Sequence, residues 1–132
     1  MLTAADRLAI ADMINLHGHL TDRGDFAGMV RLFAADVTYD ISAFGGGVLA
    51  GLAAAREAAI ALGDANPLAH HVTNIVIEEA PDGTVSATSK YLGVMTDGSV
   101  GSGTYQDTIH KGDDGWRITH RVVRPRRVPL QG

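Results

Sequence analysis

The chain has 132 residues, 45% of them apolar and 5% aromatic, with a formal net charge of −4 and no cysteine. That length suits a single domain, expected over 1–132, with a core of its own; the charge argues against a nucleic-acid partner, and the missing thiols exclude disulfides and thiolate metal sites. No run of about 18 apolar residues is available to cross a membrane, and the stretch from Met1 to Asp6 has neither the basic nor the apolar region of a secretion signal, so a soluble cytoplasmic protein is expected.

Thr3 and Asp6 have the spacing of a capping box that opens a first helix. Ile10, Met13, Ile14, His17 and Leu20 then recur at helical spacing, which predicts an amphipathic helix to about Thr21. Gly24 breaks it. Asp25 can cap a second helix that buries Phe26, Met29, Val30 and Phe33. Val37 to Ile41 alternates and is rich in β-formers, so it reads as a strand. Gly45, Gly46 and Gly47 lack the Gly-Lys-Ser/Thr continuation of a phosphate loop. They are either a mobile loop at a pocket mouth or a simple turn. Leu52 to Leu62 is alanine-rich and helical, with Gly63 as its stop.

Beyond Pro67 the period becomes two. Four strands are expected, at about 70–79, 84–96, 99–111 and 116–123. Asp82-Gly83, Asp97-Gly98 and Asp114-Gly115 fall between them, and Asp-Gly between alternating segments signals a hairpin. Three helices followed by an antiparallel meander make an α+β domain, with helices on one face of a curved sheet. The basic tail, Arg124 to Arg127, is either a solvated terminus or a contact for a second copy or an anion.

Asp22 lies where the first helix runs out, in T-D-R-G-D-F, a composition that also suits an ordinary exit loop. His70 and His71 open the first strand of the meander. Alternation puts them on opposite faces, so at most one enters a pocket. Periodicity does not choose between them: Val72 and Val76 support one face, Ile75 and Ile77 the other. A carboxylate and an imidazole brought together from such distant segments would form a proton-transfer couple. Asn74 shares the parity of His70 and could orient a substrate or a water. His17 and His19 sit two apart on a helix and point apart, so they do not make a metal pair.

Tyr91 has Ala87, Ser89 and Gly93 as small neighbours, and Tyr105 has Gly101 and Gly103. Small residues on an inward face leave room for a ligand, and the tyrosine hydroxyls can anchor it. Asp107 shares the face of Tyr105. A buried Asp needs a partner, and Arg121 on the next strand is the obvious one. Trp116 and Ile118 share a parity that Arg121 does not. Either a bulge intervenes or Trp116 packs on the other side of the sheet.

The words L-F-A-A-D at Leu32–Asp36, G-T-Y-Q-D-T at Gly103–Thr108 and G-W-R-I-T-H-R at Gly115–Arg121 resemble the SnoaL-like family of the nuclear transport factor 2-like superfamily. The resemblance covers nearly the whole chain. It implies a cone-shaped α+β barrel: three N-terminal helices on a curved, mostly antiparallel sheet, with a deep apolar pocket at the open end. Dehydratases and a dehydrochlorinase of that family carry their active carboxylate at the position of Asp22. The family pattern H-x-x-T-N matches His70 to Asn74 and implies His70 as the base. Arg121, in the closing G-W-x-x-x-x-R, is implied in leaving-group or substrate binding. His17 stands where relatives carry Tyr or Lys. The stretch Lys90 to Met95 departs from the pattern: it offers Tyr91 where several dehydratases have another His or Asp.

The implied activity is proton abstraction from a small, mostly apolar substrate of cyclic, polyketide-like or steroid-like type. Asp22, His70 and Arg121 are the expected catalytic residues, and His17, Asn74, Tyr91, Tyr105 and Asp107 the expected substrate contacts. Tyr105, His17 or Arg121 would stabilise the oxyanion or the leaving group. Dehydration is the first expectation; isomerisation and aldol-type cyclisation begin with the same abstraction. No cofactor or metal is implied. The alternative is a non-catalytic ligand-binding or assembly module of the same fold. Sheets of relatives pair into homodimers, and apolar residues on both faces of strand 70–79 would need such cover.

Overall fold

The computed structural model describes residues 1–130; the last two residues of the domain expected over 1–132 lie outside them. Helix α1 runs Ala4–Asp22 and opens on the expected capping box. Thr3 Oγ1 accepts from the Asp6 amide at 3.0 Å, and Asp6 Oδ2 accepts from the Thr3 amide at 2.9 Å. Ile10, Met13, Ile14, His17 and Leu20 are all buried, as their spacing predicts.

The second expected helix does not form. Ala27–Arg31 is a single 3-10 turn, with Asp25 Oδ1 accepting from the Gly28 amide at 2.9 Å. Met29 is buried and Phe26 packs on the core, but Val30 is exposed and Phe33 already belongs to a strand. A segment this short, with a glycine inside it, gives few hydrogen bonds for the dihedrals it must fix. Among the described residues there are therefore two α-helices rather than three, the second being α2, Leu52–Leu62.

The described residues form six strands: β1 Phe33–Asp40, β2 Val48–Ala50, β3 Ala69–Glu79, β4 Val85–Val94, β5 Val100–Gly112 and β6 Gly115–Arg126. Their order is β2-β1-β6-β5-β4-β3. Every neighbouring pair is antiparallel except β1 and β6. The edges, β2 and β3, do not pair with each other, so the sheet is open and the expected barrel is not closed. Helix α1 packs on β3 and helix α2 on β1. Among the described residues no helix is long and apolar enough to cross a membrane.

Two bulges set which side chains face inward. On β3, Thr73 pairs with Lys90 and Val76 with Thr88, so Asn74 and Ile75 together face Ser89. Asn74 takes the left-handed conformation at φ 54°, which asparagine tolerates better than most residues. The extra residue reverses the alternation. Val72, Ile75 and Ile77 all pack on the core, whereas Val76 is exposed. This leaves the outer face of β3 less apolar than strict alternation implies. On β6, Thr108 pairs with His120 and Ile109 with Ile118, which leaves Thr119 as the extra residue. Ile118 and Arg121 are consequently both buried, and Trp116 packs against the same core. The bulge resolves the parity conflict at the C-terminus.

Candidate active site

The site begins with a close approach of two backbones. A Cβ at Gly18 would lie 2.6 Å from the carbonyl oxygen of His70, so only glycine lets α1 press this closely on β3. Asp22 lies four residues after Gly18, on the same helix face, and reaches the start of β3. Its Oδ1 accepts from His70 Nδ1 at 2.7 Å. The same carboxylate takes the backbone amide of His70 at 2.9 Å through Oδ1 and 3.1 Å through Oδ2. These bonds fix the ring against the strand that carries it. With its proton on Nδ1 and donated to Asp22, the neutral ring keeps its lone pair on Nε2.

Replacing Gly18 with alanine is expected to cost about 1–3 kcal/mol of stability, because the helix must retreat from the strand. It should also weaken the Asp22–His70 pairing. Thermal unfolding with a histidine NMR spectrum of the same variant checks both.

His70 lines a cavity of about 500 Å³, a size typical of small-molecule sites. Asp22 is not on its wall and stands behind the imidazole. From α1, His17 and Thr21 also line the cavity. The ring of His17 is buried and stands edge-on to His70 at 6.0 Å and to Tyr105 at 5.6 Å between centroids. Its Nδ1 has no hydrogen-bond partner among the described residues. Burial, then the charges of Arg121 and His70, hold His17 well below its ordinary value of 6.5. At neutral pH it is an uncharged imidazole facing the cavity.

A depressed histidine has a definite pH signature. In the unfolded chain His17 takes up a proton as pH falls through about 6.5, while the folded state resists it. Its contribution to stability is therefore full above pH 6.5 and lost on acidification toward the lower folded-state value. His17→Phe is expected to flatten the decline in Tm between pH 7 and pH 5. Calorimetry across that range measures the difference from wild type.

Tyr105 lines the cavity; burial raises its hydroxyl, which stays protonated and can donate. Tyr91 does not line it. It stacks on Tyr105 at 4.8 Å between ring centroids and supports that ring from behind. Asn74 is likewise removed from the site. The bulge carries it to the exposed side, where its Oδ1 accepts from Thr73 Oγ1 at 2.7 Å. The shared parity with His70 counts positions along a regular strand, and β3 is not regular.

Arg121 and Asp107 find each other but do not reach the cavity wall. Arg121 Nε and Nη2 donate to the two Asp107 carboxylate oxygens at 2.7 and 2.8 Å, and both side chains are fully buried. The guanidinium lies 3.9 Å from the ring centroid of Tyr105 and 5.3 Å from that of Phe33. Burial is the largest single influence and opposes its charge, but the attraction and hydrogen bonds of Asp107, together with the neighbouring Tyr39 and Tyr105, outweigh it and hold the group protonated. The expected direct contact of either residue with substrate is therefore corrected to a support beneath the aromatic floor. Among the described residues no cluster of three or more His, Cys, Asp or Glu could hold a metal.

The opposite wall was not legible as such. Helix α2 contributes Leu52, Ala55, Arg56, Ala58, Ala59 and Leu62. Alanines at three- and four-residue spacing on a helix facing the core were the available signal, because small side chains there leave volume unfilled. Tyr39 and Asn66 also line the cavity. Asn66 Nδ2 donates to the carbonyls of Ala59 and Gly63, at 3.0 Å each, and closes the end of α2. Gly46 of the glycine triplet lines the cavity as well, which places that loop at the mouth.

A model of the SnoaL-like domain matches residues 2–122. The chain belongs to the SnoaL-like family. A candidate aromatic ring hydroxylase from Novosphingobium aromaticivorans is similar over 100% of this chain and 96% of its own, at 27% identity and a TM-score of 0.78. A Nostoc punctiforme protein with a cystatin-like fold is similar over 95% and 94%, at 21% identity and a TM-score of 0.79. A candidate scytalone dehydratase from Novosphingobium aromaticivorans is similar over 93% and 85%, at 20% identity and a TM-score of 0.71. No curated protein matches this SnoaL-like chain.

Proposed function

We propose that this SnoaL-like protein is a lyase or isomerase that abstracts a proton next to an electron-withdrawing group of a small, largely apolar substrate. The observation that carries the reading is the 2.7 Å bond from His70 Nδ1 to Asp22, with His70 on the wall of the cavity and Asp22 behind it. That order of groups suits His70 as the general base and Asp22 as the residue that orients it and stabilises the imidazolium.

In the scheme, His70 Nε2 takes the proton from carbon. The negative charge that develops on the substrate oxygen accepts a hydrogen bond from Tyr105 or from neutral His17. In an elimination the electron pair then forms the carbon–carbon double bond and expels hydroxide, which takes the proton from His70 and leaves as water. In an isomerisation the same proton returns to a different carbon. The low polarity of the walls strengthens both electrostatic contacts. Family membership and the likeness in fold to a candidate dehydratase support elimination as the first reaction to seek.

A panel of hydroxylated, halogenated and keto cyclic compounds, incubated with the protein in D2O, tests the reading. The expected result is loss of water or halide, or deuterium entering at the carbon beside the activating group. Turnover that persists in both Asp22→Asn and His70→Ala would overturn it.

A further inference from the structure

The cavity has one wall residue whose charge has no counterpart. Arg56 lies in the middle of α2 and lines the cavity among Leu52, Ala55 and Ala59. It is half-buried. The positions three and four residues away on its helix are Leu52, Ala53, Ala59 and Ile60, none of them acidic. No carboxylate of a described residue lies within 4.0 Å of it, and no Asp or Glu lines the cavity. The other arginine near this space, Arg121, is neutralised by Asp107. At the mouth, Arg127 lies over the ring of Phe44, a further lining residue, at 5.5 Å. The acidic group of the dyad is turned away from the cavity and held by His70. Among the described residues, Arg56 is therefore the one lining side chain that carries a permanent charge, and most of the residues that line the cavity with it are apolar.

A half-buried guanidinium without an anion has lost hydration and gained nothing in return. Its fork of donors matches a carboxylate bidentately. We infer that Arg56 receives the carboxylate of an otherwise apolar ring acid, so that the substrates of this site are carboxylic acids whose carboxylate docks on α2 while the reacting carbon faces His70. The inference rests on the reading of this cavity as the substrate site and names the substrate class. Uncharged rings of the same shape would enter the cavity but lack the anchor.

Binding of paired probes tests it without a reaction. 1-Naphthoate and 1-naphthamide have nearly the same shape and differ in charge. By calorimetry on the full chain at low ionic strength, wild type is expected to bind the carboxylate about tenfold or more tightly than the amide, the range of a charge-assisted bidentate contact. Arg56→Gln should abolish that preference, and Arg56→Lys should restore part of it, because lysine keeps the charge without the fork. His70→Ala should keep the preference, which separates this inference from the assignment of the base. Equal affinity for the two probes in wild type would overturn the inference. So would a preference that survives Arg56→Gln, or a failure of the naphthoate to bind wild type at millimolar concentration.

Discussion

Replacing His70 with glutamine is expected to lower kcat/KM by about 10²–10⁴-fold on any substrate the protein turns over, the usual worth of a positioned general base. Glutamine keeps a polar side chain of similar reach but cannot take up the proton. Asp22→Asn should approach the same loss by another route. The asparagine amide can donate to Nδ1, which favours the tautomer with its lone pair on the wrong nitrogen. It also removes a carboxylate that accepts the His70 backbone amide at 2.9 Å. The double variant should be scarcely worse than either single one, because the two residues act as a unit. Steady-state kinetics of the three variants measure this. Independent, multiplying losses would mean that the residues serve separate steps.

The second large effect is expected in stability. Asp107→Ala leaves the guanidinium of Arg121 fully buried without its carboxylate partner. Breaking a buried pair in this way costs about 3–5 kcal/mol, which for a chain of this length lowers Tm by on the order of 10–20 °C. Removing both charges together, as Asp107→Leu with Arg121→Met, should recover most of the loss, since an apolar pair of similar volume has no desolvation debt. The single variant should also disturb the floor of the cavity, because Arg121 lies 3.9 Å beneath the ring of Tyr105. Thermal denaturation of the single and double variants checks the order. A double variant no more stable than Asp107→Ala would show that the pair itself, rather than the isolated charge, stabilises the fold.

Much of this architecture can be read from periodicity and turn chemistry. The capping box, the stripe from Ile10 to Leu20, the helix over Leu52–Leu62 and the Asp-Gly hairpins all follow from local rules that the tertiary structure leaves in force. The failures have local causes. Phe26 to Phe33 has helical spacing, but the glycine at position 28 and the early start of β1 leave room for only one turn. The three residues of β2 are too few to carry a period. Alternation misplaces Asn74 because a bulge resets the register one residue after Thr73. A second bulge at Thr119 lets Ile118 and Arg121 both face inward.

The site was legible where the family motif names single residues and illegible where shape matters. The motif identifies Asp22 and His70, and the structure brings them within 2.7 Å. Tyr91, Asp107 and Arg121 sit near the cavity but behind its wall, a distinction of a few ångströms that no spacing rule expresses. Arg56 was missed for the opposite reason. A lone arginine on an alanine-rich helix reads as a solvated surface residue until the cavity beside it is seen.

Proton abstraction by His70 requires the tautomer whose neutral ring carries its proton on Nδ1 and leaves Nε2 free. Imidazole nitrogen NMR on ¹⁵N-labelled wild type and Asp22→Asn, followed through a pH titration, observes it directly and needs no substrate. In the neutral ring of wild type, the proton should reside on Nδ1, with Nε2 showing the shift of an unprotonated nitrogen; in Asp22→Asn that preference should be lost. A neutral His70 protonated on Nε2 in wild type, unchanged by the substitution, would contradict the account.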